Sequence, residues 1–132
     1  KVSATQVAES ERMKCLPRHF GARMMHFENT VYRFMDQLVK SYKGAYWEFY
    51  ELSNGGFYMA PRIDSPVKVK VESNWYEGEI SADAAGLIAC LFALSHLSFK
   101  FRNDERLAEH YHLLLDYAYQ HPESSAIASA ID

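Results

Sequence analysis

The sequence predicts an α+β fold, in which a small antiparallel meander of three or four strands packs with about three long helices and a short C-terminal helix. The first observation is a hairpin signal, because two aromatic, strand-prone runs flank the turn residues Ser-Asn-Gly-Gly at positions 53–56. A second strand signal follows at 67–72, where valines alternate with charged residues. Helical spacing of apolar residues covers most of the remaining chain, so we expect helices to cover the sheet.

The composition is typical of one globular domain, which we place over residues 1–132. Apolar residues make up 48% of the chain and charged residues 23%, which is enough for a core without disulfides. The longest apolar run, residues 84–94, is too short to span a bilayer, and the chain starts on a polar stretch. Because Cys90 falls inside that apolar run, we expect a buried, reduced thiol and a cytoplasmic location.

The charge balance argues against two classes of protein. Seventeen acidic and fourteen basic residues give a net charge of −3, with no run of like charges. Duplex DNA carries a charge about every 1.7 Å, so an acidic mimic of one helical turn would need about twenty. The chain falls far short of that density. The same balance disfavours a strongly basic nucleic-acid binder, so direct DNA binding is not expected.

The N-terminal third carries mixed signals. Thr5 is a candidate cap for a short helical turn, the alternation at 12–15 is typical of a short strand, and Pro17 and Gly21 indicate a loop at 17–21. From residue 28 to 42, apolar residues recur at three- and four-residue spacing, which predicts an amphipathic helix. Gly44 follows as a helix-stop glycine.

The hairpin at 45–61 decides which side chains are core. If Asn54 and Gly55 form a two-residue turn, the pairing divides the hairpin into two faces. We assign the more apolar face to the core, namely Tyr50, Leu52, Phe57 and Met59. The second face carries Trp47, Phe49, Glu51, Tyr58 and Ala60. A register slip of one residue would exchange the two faces.

The C-terminal half is predicted to be mostly helical after one more short strand at 76–80. Ser81 is a good N-cap for a long, apolar central helix that runs to about Lys100. Asn103 caps the next helix, and His121-Pro122 stops it. A short helical segment at 122–130 completes the chain.

The motifs of catalysis and metal binding are missing from the sequence. His110 and His112 are two residues apart on a predicted helix, roughly 200° around its axis, so they cannot share a metal. The chain has no Cys-x-x-Cys pair, no His-Glu-x-x-His motif and no Gly-x-Ser-x-Gly elbow. We therefore predict no catalytic centre, no metal and no cofactor. The open alternative is a hydrolase with His96 or His110 in a cleft.

The second hairpin face, which the predicted core does not use, carries an aromatic patch. Trp47, Glu51 and Tyr58 form this patch, and large aromatic side chains supply much of the binding energy of protein interfaces. Arg18, in the predicted loop, and Glu28, at the start of the amphipathic helix, are further candidates for protein contact. Two alternatives stay open, namely that a helix covers this face, or that Lys68 and Lys70 extend it into a nucleic-acid-binding surface.

Four segments together resemble the ArdB/KlcA-type antirestriction proteins. They are PRHFG at 17–21, YWEFYELSNGGFYMAP at 46–61, SADAAG at 81–86 and YAYQHP at 117–122. The resemblance implies a small cytoplasmic α+β protein of plasmids and other mobile elements that relieves type I restriction of incoming DNA without blocking modification. It further implies a protein partner, either the type I restriction-modification enzyme or an associated host factor. It brings no catalytic motif, and the family is not thought to mimic DNA.

Overall fold

The structure is a computed structural model that describes all 132 residues, and it confirms the α+β class. Five helices and five short strands alternate in blocks along the chain. In chain order the elements are β1 (Ala4–Gln6), α1 (Arg12–Phe20), α2 (Met24–Leu38), β2 (Trp47–Leu52), β3 (Phe57–Pro61), β4 (Val67–Val71), β5 (Tyr76–Ile80), α3 (Ala82–Lys100), α4 (Glu105–Ala118) and α5 (Ser124–Ile131). Short 3-10 turns at Glu9–Glu11 and Gly21–Arg23 precede α1 and α2.

The N-terminal segment differs from the prediction. Thr5 caps no helix and instead pairs with Glu51, because β1 adds an edge strand to β2. The predicted strand at 12–15 and loop at 17–21 are wrong, since residues 12–20 form α1 and Gly21 begins the 3-10 turn after it. The buried residues of α1 recur at helical spacing, namely Cys15, Leu16, His19 and Phe20. Pro17 lies inside the helix and has no N–H to donate, so it removes one backbone hydrogen bond from α1.

The amphipathic helix exists but begins and ends four residues earlier than predicted. α2 starts directly after the 3-10 turn at Gly21–Arg23. It ends where Val39 turns to an extended conformation, with φ −122° and ψ 101°, which places the Val39 side chain in the core. Gly44, with φ 101°, lies in the loop beyond the helix.

The hairpin register is shifted by one residue from the prediction. Glu51 faces Phe57 and Tyr50 faces Tyr58, so the loop has three residues and not two. Gly55 is in the left-handed region at φ 94°, which favours glycine. The Asn54 side chain donates to the backbone oxygen of Leu113 at 3.0 Å. This contact ties the loop to α4 and leaves Asn54 in the middle of the loop.

The strands form two sheets and not one meander. β1, β2 and β3 make an antiparallel sheet in the order β1-β2-β3, and β4 pairs only with β5. β5 has the predicted bounds, β4 ends one residue earlier than predicted, and the three valines of β4 are buried. The outer face of this second hairpin pairs Lys68 with Glu79 and Lys70 with Glu77.

The central helix α3 is the core of the molecule and agrees with the prediction. The Ser81 side chain accepts a hydrogen bond from the N–H of Ala84 at 3.1 Å, as expected for an N-cap. By length and composition alone, α3 could cross a membrane, but 67% of its apolar stretch is buried inside the fold, as in a core helix. The next cap is Asp104 and not Asn103. α5 is the predicted short C-terminal helix.

α3 packs directly on the backbone of β3 at one glycine. A Cβ atom added at Gly86 would lie 2.5 Å from the Cα of Ala60 and 2.8 Å from the backbone oxygen of Met59. No real Cβ makes such contacts, so a side chain here would push the helix away from the strand.

We expect Gly86→Ala to lower the free energy of unfolding by about 1 to 3 kcal/mol, because the added methyl overpacks the helix–strand contact. Ala108→Gly is the matched control, since Ala108 is exposed on α4. There glycine should be the less stable residue by about 1 kcal/mol, as helix propensity dictates. Urea denaturation of both variants and the wild type measures this. A stabilised Gly86→Ala variant would contradict the close approach.

Candidate interaction surface

Trp47 is a core residue, so its predicted exposure in an aromatic patch is wrong. Only 4% of its surface is exposed. The indole N–H donates to the hydroxyl of Tyr42 at 2.8 Å, and the ring packs edge-on against Tyr32 at 5.2 Å between centroids. The physical reason is that α2, through Tyr32, and the loop after it, through Tyr42, cover this face of the hairpin.

Tyr58 is also buried, with 1% of its surface exposed. Its ring stacks on Tyr50 at 4.7 Å between centroids, and its hydroxyl donates to Oδ1 of Asp83 at 2.8 Å. Burial, followed by the charge of Asp83 beside it, raises the pKa of Tyr58 far above the usual range. The hydroxyl is therefore a structural donor, and Tyr58 cannot serve as an exposed contact.

Asp83 joins three of the four segments that carry the family resemblance. Besides Tyr58 from the hairpin, Asp83 contacts His121, whose Nε2 lies 2.8 Å from Oδ2. The other ring nitrogen of His121, Nδ1, accepts the N–H of Glu123 at 3.0 Å. Nδ1 therefore carries no proton, Nε2 donates to Asp83, and neither nitrogen is free to act as a base. The Glu123 carboxylate in turn accepts from the hydroxyl of Ser81 at 2.5 Å.

The fourth segment meets the hairpin at Glu51. Oε2 of Glu51 accepts from Nη2 of Arg18 at 2.7 Å, and Oε1 lies 2.8 Å from Nε2 of His19. Burial opposes ionisation of Glu51, but the hydrogen bonds from Arg18 and His19 outweigh it and lower the pKa of Glu51. The same pairing raises the pKa of Arg18. The structure thus joins two predicted site residues, Arg18 and Glu51, in one half-exposed ion pair.

Cys15, beneath this ion pair, is an unreactive thiol. Its Sγ lies 3.5 Å from Oε2 of Glu51. Burial, followed by the hydrogen bond to Glu51, raises the pKa of Cys15 to about 11. A thiol with such a pKa is protonated at neutral pH and is a poor nucleophile.

His110 lies behind the same cluster and is buried among rings. Its ring is 5.0 Å from that of His19 and 4.8 Å from that of Phe20, between centroids. The Nδ1 atom has no hydrogen-bond partner. Burial, followed by the charge of His19, lowers the pKa of His110 to about 4. His96 is exposed on α3, so neither histidine meets a carboxylate in a cleft, and the hydrolase alternative gains no support.

Glu28 belongs to a cleft between α1, the start of α2 and β2. Its Oε2 accepts from the hydroxyl of Tyr32 at 3.2 Å. The cleft has a volume of about 240 Å³, and its lining residues are Arg12, Met13, Leu16, Pro17, Met24, Glu28 and Phe49. The Arg12 guanidinium lies 4.1 Å from the ring centroid of Phe49 and 4.7 Å from that of Tyr46. Glu28 therefore lies in this cleft, whereas Arg18 and Glu51 form their ion pair outside its lining.

The lysines of the alternative surface are balanced by acids. Nζ of Lys68 lies 2.9 Å from Oε2 of Glu77, a contact that raises the pKa of Lys68 and lowers that of Glu77. Lys70 also faces Glu77 across the hairpin. This face therefore has little net positive charge with which to bind DNA or another polyanion.

Sequence reasoning missed Arg12, Asp83 and His121. For Asp83 and His121, the signal was their position within the resembling segments at 81–86 and 117–122. Arg12 gave no signal, because its stacking rings come from residues 46 and 49, more than thirty positions along the chain.

The sequence of the chain is similar to those of known proteins. The family model described as Antirestriction protein matches residues 40–132. The antirestriction protein KlcA of Escherichia coli is 44% identical over 135 residues, which covers 99% of this chain and 95% of KlcA. YubI of Escherichia coli strain K12, a putative antirestriction protein, is 33% identical, and the alignment covers 96% of this chain and 93% of YubI.

A solved structure shows the same architecture. It comes from work on KlcA and ArdB, which are described as having a novel fold and antirestriction activity against type I DNA restriction systems in vivo but not in vitro. It matches with a TM-score of 0.92 and 47% identity, and covers 99% of this chain and 95% of its own. The fold is therefore the α+β architecture of the KlcA and ArdB class. Together with the family model and the relatives, it shows that the chain belongs to the antirestriction protein family.

We expect His110 to make stability depend on pH. Its pKa in the fold is about 4, against 6.5 for an ordinary histidine, so the unfolded chain takes up a proton first as the pH falls. The stability contributed by neutral His110 is fully present above pH 6.5 and is lost between 6.5 and 4. Between pH 6.5 and 4, the free energy of unfolding of His110→Leu, measured by urea denaturation, should fall by on the order of 2 to 3 kcal/mol less than that of the wild type. Parallel pH profiles for the two proteins would contradict this.

Proposed function

We propose that this protein relieves type I restriction of incoming DNA in the cytoplasm by contacting another protein. The observation that carries the proposal is the match over 99% of the chain to the KlcA and ArdB structure, whose proteins are described as active against type I systems in vivo. Their described inactivity in vitro suggests that a component of the cell is needed. The partner is then a restriction enzyme in its cellular state or a host factor associated with it.

Acidic mimicry of DNA is a poor explanation for this chain. The net charge is only −3. Several of the acids that would form a mimic are bound within the protein, since Glu48 pairs with Arg62, Glu77 with Lys68, and Glu51 with Arg18. A mimic needs a regular row of free charges along a full turn of duplex. A contact that is specific for a protein surface fits this charge pattern better.

The proposal is non-enzymatic. The surroundings of two histidines support it. Both ring nitrogens of His121 form hydrogen bonds, and the ring of His110 is buried among other rings. Neither cluster presents a nucleophile next to a free base, which is the arrangement that acyl or phosphoryl transfer requires.

The contact surface is proposed to be the face of α1 with its neighbours, through Arg18, Glu28 and Glu51. Arg18 is exposed over about half of its side chain, at 53%, although it is paired. Arginine is among the residue types that dominate interface energies. Met13, on the same helix, is 91% exposed, which is unusual for a large apolar residue.

We expect Arg18→Ala to lose restriction relief while keeping the fold. Because the pair with Glu51 is half exposed, its loss should change the free energy of unfolding by no more than about 1 kcal/mol. The measurement is the plating efficiency of unmodified phage on cells with a type I system that express the protein. Relief should fall about tenfold or more if Arg18 is an interface residue.

Arg102→Ala is the matched control, because Arg102 is exposed in the turn after α3 and forms no ion pair. It should protect as well as the wild type. A folded Arg18→Ala variant with full protection would move the contact away from α1. A wild type that gives no relief in these cells would refute the proposed function itself.

A further inference from the structure

The cleft between α1 and α2 contains an arginine that the protein does not satisfy. Arg12 stacks on Tyr46 and Phe49, yet its guanidinium makes no hydrogen bond and no ion pair within the chain, and Nη1 is buried without a partner. A guanidinium has five N–H donors, and burying one without an acceptor costs free energy.

The nearby glutamates do not supply the missing acceptor. Each is bound to a different donor: Glu9 to Tyr46, Glu11 to Lys14, Glu28 to Tyr32, Glu48 to Arg62 and Glu51 to Arg18. Arg12 is therefore the one guanidinium of this region that carries its charge without a carboxylate. The open position beside it has the chemistry of a carboxylate or phosphate site.

Arg12 does not stabilise its own helix either. It is the first residue of α1, whose first turn contains no acid. The N-terminus of a helix carries partial positive charge, so a cation at this position is unfavourable. Arg12 thus destabilises the start of its helix and has no hydrogen-bond partner, yet it is stacked on two rings. This combination indicates a ligand-binding role.

The walls of the cleft are apolar and adaptable. Met13, Leu16, Pro17 and Met24 line it around Arg12. Met13 projects into solvent with 91% of its surface exposed. Methionine is unbranched and polarizable, so it adapts to partners of different shape and is common on binding surfaces. An apolar side chain of a partner therefore fits between these walls.

We propose that this cleft binds a short segment of the partner protein that presents one Asp or Glu carboxylate to Arg12 and an adjacent apolar side chain to Met13 and Met24. The inference rests on the proposed function, because it names the chemistry by which the α1 surface recognises its partner. A protein carboxylate fits better than a DNA backbone. Glu28 lies in the same cleft and repels any anion, but a single carboxylate can pair with Arg12 on the far side of it, whereas a row of phosphates would bring several charges past Glu28.

The test uses the isotope-labelled full chain in NMR titrations with three probes at millimolar concentration. The first is the blocked peptide acetyl-Leu-Leu-Glu-Leu-amide, the second has Gln in place of Glu, and the third is a short DNA duplex. The Glu peptide should shift the amide signals of Met13 and Met24 and the Nε–H signal of Arg12. The Gln peptide should bind about tenfold more weakly, or worse, because a charge-assisted hydrogen bond is lost.

Two variants separate charge from packing. Arg12→Met keeps an unbranched apolar stem over the rings of Phe49 and Tyr46 but removes the charge, so it should bind the Glu and Gln peptides equally weakly. Arg12→Lys keeps the charge without the planar fork and should show an intermediate affinity. Arg102→Met is the control and should bind like the wild type. The comparison of peptides on the wild type needs no variant to fold.

Several outcomes overturn the inference. No shift with either peptide, equal binding of both peptides, or shifts at the cleft from the DNA duplex alone would each do so. Plating assays keep the two proposals apart. If the wild type relieves restriction and a folded Arg12→Met variant relieves it equally, the cleft is wrong and the function stands. If the wild type gives no relief but binds the Glu peptide through Arg12, the function is wrong and the cleft stands.

Discussion

The burial of β3 on both of its faces is the constraint on which the rest of the structure depends. All five residues of this strand are buried, although a sheet of three strands would normally leave one face to solvent. One face packs on rings from α1 and α2, and the other meets α3, α4 and the Asp83 network. Gly86 allows the closest of these contacts. The helices are therefore arranged around the hairpin, and the polar clusters lie where helices and hairpin meet.

Elements whose signals are local could be predicted from the sequence. The alternating valines fixed β4, and the Ser81 cap fixed the start of α3, because each signal lies within the element it defines. The hairpin register could not be predicted, since it depends on the contact of Asn54 with Leu113, 59 positions away. α1 was missed for a related reason. Pro17 and Gly21 are local helix breakers, and the burial of Phe20 and its neighbours outweighs them.

In the candidate site too, single residues could be predicted from the sequence, but their long-range contacts could not. Arg18, Glu28 and Glu51 were identified as separate residues, but the ion pair of Arg18 and Glu51 spans 33 positions and is invisible in the sequence. Trp47 was misplaced because the prediction left one face of the hairpin open, whereas both faces are buried. The α1 surface is thus a product of tertiary packing. Met13 is the one large apolar residue of α1 that this packing leaves exposed.

The two tryptophans lie in opposite environments, with Trp47 4% exposed and Trp75 85% exposed. Trp75 sits at the tip of the β4–β5 hairpin with φ 66°, held by its neighbour Asn74, whose side chain donates to backbone oxygens at the end of α5. The protein therefore contains two separate natural fluorophores. A soluble quencher such as iodide should reach only Trp75, so the unquenched emission comes from Trp47. That emission reports on the packing of the hairpin core without any added label.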